Sequence, residues 1–228
     1  MNIVNASKKA LIFGASGLIG SHLLMLLLED STYSQVVCFV RKNLDIKHAK
    51  LTVEVIDFDQ LDNYTSLING DDLFICMGTT MDKAGTKEAF RKVDYEYVTK
   101  IASIASENRV NQLLLISSIG ADANSMFFYT RTKGEVEEVV KKLNFSVIHF
   151  FRPSVLLGMR DYERAGEEFV GLIGKKFTSF FGFLLPKSFD KYKPIEAKDV
   201  AMSMLEYSKQ TKKGFFVHEH EEIVSVIN

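Results

Sequence analysis

Short, continuous apolar runs recur along the chain, and between them the apolar positions spread to spacings of three and four. Ala10-Leu-Ile-Phe13, Val36-Val-Cys-Phe-Val40, Asp72-Leu-Phe-Ile-Cys76, Gln112-Leu-Leu-Leu-Ile116 and Ser146-Val-Ile-His-Phe-Phe151 read as strands covered on both faces, because a strand with one wet face would alternate. Leu51-Thr-Val-Glu-Val-Ile56 does alternate, which suits a sheet edge, and Gly214-Phe-Phe-Val-His218 is a seventh strand. Helical spacing covers 17–29, 86–107, 129–143 and 199–208; in the second of these Phe90, Val93, Tyr97, Ile101 and Ile104 share a face.

Strands alternating with helices predict an α/β fold: a doubly wound parallel sheet of about seven strands with helices on both faces. Such sheets bind ligands at the carboxyl ends of their strands. One domain is expected over 1–228. The least regular stretch, about 158–193, follows the sixth strand and is too small to stand alone, so it reads as a lid over a substrate. Its segment 169–183 interleaves Phe177, Phe180, Phe181 and Phe183 with Lys175 and Lys176; capping an apolar pocket is the reading preferred over touching a membrane or partner.

Hydrophobic content of 46% and charged content of 25% are those of a soluble globular protein. A net charge of −1 provides no field for nucleic acid or an anionic membrane. The apolar run Leu23-Leu-Met-Leu-Leu-Leu28 is far shorter than the roughly 20 residues that span a bilayer, and no signal peptide is read. A reducing cytoplasm is therefore expected. Cys38 and Cys76 lie in strand runs, too few for a disulfide framework, and no Cys or His cluster surrounds them to hold a metal. His22 reads as a packing or surface residue, and His218 and His220 as alternating positions on a solvated edge.

Two motifs carry chemistry. Gly14-Ala-Ser-Gly-Leu-Ile-Gly20 lies between the first strand and the first helix, the setting in which glycines let a backbone approach a dinucleotide pyrophosphate. Gly14, Ser16, Gly17, Leu18, Ile19 and Gly20 are thus candidate cofactor residues, helped by the dipole and free amides of the helix start. An acid at the end of the second strand would accept from the ribose 2′-hydroxyl of NAD. Here the chain reads Val40-Arg41-Lys42, and a guanidinium suits a 2′-phosphate instead. NADP(H) is therefore favoured over NAD(H), a solvated loop being the plainer account of the two cations. Asp57, ending the third strand, either holds the adenine amino group or caps a turn.

The second motif is Tyr129-Thr-Arg-Thr-Lys133. Positions i and i+4 share a helix face, and an ammonium beside a phenol favours the phenolate. Tyr129 and Lys133 can thus move a proton while a nicotinamide moves a hydride. Ser117 and Ser118 end the fifth strand, where either hydroxyl could hold a substrate carbonyl. A surface Tyr/Lys pair is the bland alternative, and the strand-end serines argue against it.

In these residues the chain resembles the short-chain dehydrogenase/reductase superfamily in its extended or atypical branch. Arg152-Pro-Ser-Val-Leu-Leu-Gly158 and Pro194-Ile-Glu-Ala-Lys-Asp-Val-Ala201 resemble late segments of that branch. Gly78-Thr-Thr with Lys83-Ala-Gly85, Ser117-Ser-Ile-Gly-Ala-Asp122 and Tyr129 through Lys133-Gly-Glu-Val-Glu137 resemble the group of the Tat-interacting protein of 30 kilodaltons and its bacterial relatives. The resemblance implies NADP(H) held by the glycine turn, Arg41, Lys42, Gly78, Thr79, Tyr129 and Lys133, with Arg164 of the lid touching the cofactor. It also implies a possible homodimer through helices 87–107 and 129–143, whose apolar residues exceed what one sheet face needs. Elsewhere in the superfamily an Asn-Asn-Ala-Gly stretch supports a proton relay; Cys76-Met-Gly-Thr-Thr80 stands there instead, which puts that relay in doubt.

The expected function is NADPH-dependent reduction of a small carbonyl compound. The alternative is a non-catalytic NADP(H)-sensing or scaffold protein that regulates partner proteins. Too little chain follows the sixth strand for the substrate domain of a sugar-nucleotide epimerase.

Overall fold

Ala10 and Ile12 of β1 (Lys8–Phe13) join one apolar cluster, and Leu11 and Phe13 join another, so the first strand is buried on both faces. The computed structural model describes residues 7–157 and 193–227. Around β1 lie β2 (Tyr33–Val40), β3 (Leu51–Val55), β4 (Asp72–Ile75), β5 (Gln112–Ile116), β6 (Val147–Phe151) and, later in the chain, β9 (Gly214–His218). They form one parallel sheet in the order β3-β2-β1-β4-β5-β6-β9. The alternating β3 is indeed an edge strand.

Helices α1 (Leu18–Glu29) and α6 (Ala197–Ser208) cover one face, where Leu23, Leu24, Leu27, Val200 and Met204 meet Ile12, Cys38 and Phe74. Helices α4 (Val98–Glu107) and α5 (Phe128–Val140) cover the other, where Ile101, Ala105 and Val136 meet Leu73, Leu115 and Ile148. Each fully buried large side chain contributes about 1.5–3 kcal/mol. The exposed large hydrophobics among the described residues are Met25, Val55, Leu67, Met126, Phe215 and Val217, none of them on α4 or α5. Within the chain, Val98, Ile101, Ala105, Val136 and Val140 of those two helices are buried.

A 3-10 stretch (Phe58–Leu67) after β3 and the short helix α2 (Met81–Ala84) after β4 escaped the periodicity, while the helix expected over 86–107 is present as α3 (Lys87–Arg91), a π-helical stretch (Lys92–Tyr97) and α4. Strands β7 (Leu156–Leu157) and β8 (Ile195–Glu196) pair in parallel, and Ser154 Oγ donates to the Lys193 carbonyl. Most of the expected lid, with Arg164 and the 169–183 aromatics, lies outside the described residues. No helix among the described residues is long and apolar enough to cross a membrane.

The histidine expectation needs correcting. His220 begins α7 (His220–Ser225) rather than continuing a strand, and His218 is buried although β9 is an edge. The reason is a partner on β6: His149 Nδ1 and His218 Nε2 are 2.8 Å apart, and the Tyr207 ring stacks 3.7 Å from His218. With its amide oriented to satisfy both neighbours, Gln112 accepts from His149 Nε2 and donates to Asp72 Oδ1, at 3.2 and 3.3 Å. Asp72 in turn holds Lys8 and the Tyr33 hydroxyl.

Burial, with His218 beside it, pushes His149 down from 6.5 to about 3, and burial pushes His218 to about 4. The unfolded chain therefore binds protons near pH 6.5 that the folded chain refuses, so stability falls as pH drops below that value. The melting temperature should decline between pH 7 and pH 5, and a His149→Phe/His218→Phe variant should flatten the decline. An equally steep slope in the variant would locate the acid sensitivity elsewhere.

Candidate functional site

The strand order turns back between β1 and β4, which opens a crevice at their carboxyl ends. Gly14 follows β1 with φ +87°, a conformation that glycine alone adopts readily. A Cβ there would stand 2.6 Å from the Cys76 carbonyl carbon and 2.7 Å from the Met77 nitrogen. Gly14 thus shapes the turn and also lets the end of β4 pass beneath it. At Gly20 a Cβ would lie 2.1 Å from the Gly14 oxygen, so α1 starts hard against the same turn. Gly17 is the N-cap of α1 and offers no side-chain cap. The first-turn amides of α1 are left for a ligand, and a phosphate fits them by geometry and by dipole.

A cleft of about 280 Å³ opens from this turn. Gly14, Ser16, Gly17, Arg41, Gly78 and Thr79 line it, as the sequence suggested. Its charged lining residues are Arg41 and Lys83, with no acid among them. Ile19 and Gly20 are buried, Leu18 packs against the core, and Lys42 is exposed outside the cleft lining. Asp57 caps the 3-10 stretch by accepting from the Asp59 N–H at 2.9 Å, and it does not line the cleft. Of its two readings, the turn cap is the one the structure displays.

The strand-end residues Phe39, Val40, Cys76 and Met77 also line the cleft, and so do Phe58, Val93, Tyr97 and Lys83, none of them a candidate from the sequence. Phe58 comes from the unread 3-10 stretch, packs tilted against Tyr97 at 5.6 Å and meets Phe13 edge-on. Periodicity marks Val93 and Tyr97 only as apolar helix-face positions. Lys83 lies on the short helix α2, capped by Thr80, and its Thr80-x-x-Lys83 spacing was the available signal.

Tyr129 and Lys133 lie in the first two turns of α5, both on the carboxyl side of the sheet. Gly134 sets that helix: a Cβ there would be 2.2 Å from Ala123 N and Asp122 C, so the loop after β5 packs directly on α5. The Tyr129 ring is half-buried against Phe90, 5.5 Å away. Lys133 is buried, and its ammonium lies 2.7 Å from Asp94 Oδ1. Burial pushes the Lys133 pKa down, but the charge of Asp94 and the nearby Tyr129 more than offset it, so the group stays above its ordinary 10.5. Lys133 is not itself part of the cleft lining, but its ammonium lies beside the lining residue Gly78, where a Cβ would be 3.5 Å from its Nζ.

The two serines separate clearly. Ser117 is buried and donates to Glu137 Oε1 at 2.6 Å. Glu137 also receives both arms of Arg152, at 3.0 and 2.6 Å, which ties α5 to the end of β6. Breaking such a buried pair on one side costs about 3–5 kcal/mol. Ser117 is therefore spent on the frame. Ser118 is half-buried, and among the described residues its hydroxyl has only the next residue's carbonyl, at 3.3 Å. No group of His, Cys, Asp and Glu among the described residues could hold a metal.

A parallel sheet that reverses at β1 and β4 above a glycine turn is the frame of a dinucleotide-binding Rossmann protein. Sequence comparison agrees: the model of a family described as NAD(P)H-binding matches residues 14–153. The chain is 38% identical to "Protein HTATIP2" of Rattus norvegicus over 188 residues, 79% of this chain and 76% of that protein. It is 30% identical over 211 residues to "Protein FMP52, mitochondrial" of Candida albicans, 89% of each. Similar solved structures include MoeE5 in complex with UDP-glucose and NAD (TM-score 0.66, 16% identity, 95% of this chain, 80% of that one). Another is Bordetella bronchiseptica WbmH in complex with NAD+ (TM-score 0.68, 16% identity, 93% of this chain, 75% of that one). At such identities the structures show the fold alone. The chain belongs to the NAD(P)H-binding family and has the Rossmann fold.

Proposed function

We propose that this protein is an NADP(H)-dependent reductase of a small carbonyl compound. The observation that carries the reading is Lys133: a buried ammonium bordering Gly78 of the cleft, one helical turn from Tyr129. The turn from Gly14 to Gly20 would hold the pyrophosphate, Arg41 and Lys83 a 2′-phosphate, Phe58 and Tyr97 the adenine side, and Lys133 the nicotinamide ribose. Bound NADPH would supply the hydride to the carbonyl carbon. Tyr129 then gives its phenolic proton to the carbonyl oxygen, and Lys133 offsets the charge left on the phenol oxygen. Ser118, the uncommitted serine, donates to the same carbonyl oxygen and orients it. The proposed setting is a reducing cytoplasm, in which Cys38 and Cys76 remain thiols.

Calorimetry with both cofactors tests the preference. Charge-assisted bonds to a 2′-phosphate should make NADPH bind about 10-fold or more tightly than NADH, and Arg41→Ala should shrink the gap. Equal affinities in the unmutated protein would overturn the reading. An NADPH-oxidation screen across aldehydes, ketones and quinones then finds the substrate class.

A further inference from the structure

Periodicity predicts one helix from 86 to 107, but the structure inserts a π-helical stretch, Lys92–Tyr97, at its centre. Such stretches are rare and occur often at functional sites. Here Val93 and Tyr97 line the cleft while Asp94 is turned inward and buried. Asp94 Oδ2 accepts from the Thr79 N–H at 2.7 Å. Its Oδ1 lies 2.7 Å from Lys133 Nζ, a close ion pair without hydrogen-bond alignment. Between them runs Gly78, where a Cβ would crowd Oδ1 at 3.1 Å. One carboxylate therefore joins the cofactor loop, the π-helical stretch and α5.

Stability does not explain this pair. Two charges taken out of water regain little more than they lose, and apolar replacements of such pairs are often neutral or better. A buried lysine without its partner would tend to give up its proton. Building on the reductase reading, we propose that Asp94 is the positioning residue of the site: it keeps Lys133 an ammonium and fixes it against the Gly78–Thr79 loop. The groups facing Lys133 are Asp94 from the π-helical stretch and Tyr129 and Glu137 from its own helix, with Glu137 already held by Arg152 of the strand behind. Asp94 is the one anion directly paired with it among the described residues.

The test reads Lys133 directly, by NMR titration of lysine labelled at the ε-carbon, in the unmutated chain and in Asp94→Asn. Lys133→Met assigns the resonance. Asparagine keeps an acceptor for the Thr79 N–H and removes only the charge. The Lys133 midpoint should fall by about 1–3 pH units, and NADPH affinity, followed by fluorescence, should weaken with rising pH along the same midpoint. An unmoved midpoint in folded Asp94→Asn overturns the proposal, since a merely structural role would leave it there. Should Asp94→Asn fail to fold, Asp94→Asn/Lys133→Met decides: regained folding supports an unpaired ammonium as the fault, and no gain overturns it. If the midpoint moves but the unmutated chain binds no NADPH, the link to Lys133 stands and the reductase reading falls.

Discussion

Gly14→Ala should destabilise the protein by about 3 kcal/mol or more and remove measurable NADPH binding. Two terms add. Holding a non-glycine residue at φ +87° costs about 1–3 kcal/mol. The new Cβ would also lie 2.6 Å from the Cys76 carbonyl carbon and 2.7 Å from Met77 N, and overpacking of that kind costs about 1–3 kcal/mol. Both partners are backbone, so no side-chain rotation relieves the contact. The turn and the end of β4 must part, and the cleft between them loses its floor. Gly85→Ala is the control, because Gly85 has φ +76° but open space where a Cβ would go. It should show the strain alone and bind NADPH normally. Thermal denaturation and calorimetry on both variants check this; equal losses would refute the contact argument.

Tyr129→Phe should leave the fold and NADPH affinity nearly intact while turnover falls about 10²-fold or more, the scale of a positioned proton donor. The ring keeps its contact with Phe90, and its hydroxyl makes no hydrogen bond to the described residues, so little structure is lost with it. Lys133→Met should differ in kind. It takes away the charge beside the phenol and leaves Asp94 buried without its cation, so turnover, cofactor binding and stability should all suffer. In the unmutated protein the stabilisation from Lys133 is present at neutral pH and is lost only as pH rises through a value above 10.5. Steady-state kinetics on a substrate found by the screen, with melting curves alongside, separates the variants. Unchanged turnover in Tyr129→Phe would end the proposed mechanism.

Much of the frame was legible because parallel strands carry their signal locally. Residues 113–116 and 36–40 are apolar throughout, and short runs of that kind suit a sheet covered on both faces. The glycine turn was legible for a similar reason: Gly14, Gly17 and Gly20 act between adjacent elements. What failed was non-local. His218 looked like a wet edge residue until β6 brought His149 beside it. The 3-10 stretch has no apolar period of its own, and Asp94 is a polar position between the apolar ones of a helical pattern, so neither Phe58 nor Asp94 had a signal in the pattern.

The sequence by itself determined the sheet, its two-sided burial, the glycine turn and the Tyr129–Lys133 spacing, since each depends on neighbours a few residues apart. Only the tertiary structure decided the division of labour. It committed Ser117 to Glu137, left the Ser118 hydroxyl with only a neighbouring carbonyl among the described residues, made Asp57 a turn cap, and set Asp94 against Lys133. Those choices depend on which polar groups meet once water is excluded. A carboxylate 39 positions before its lysine in the chain comes within 2.7 Å of it only when α5 and the π-helical stretch pack on the same face of the sheet.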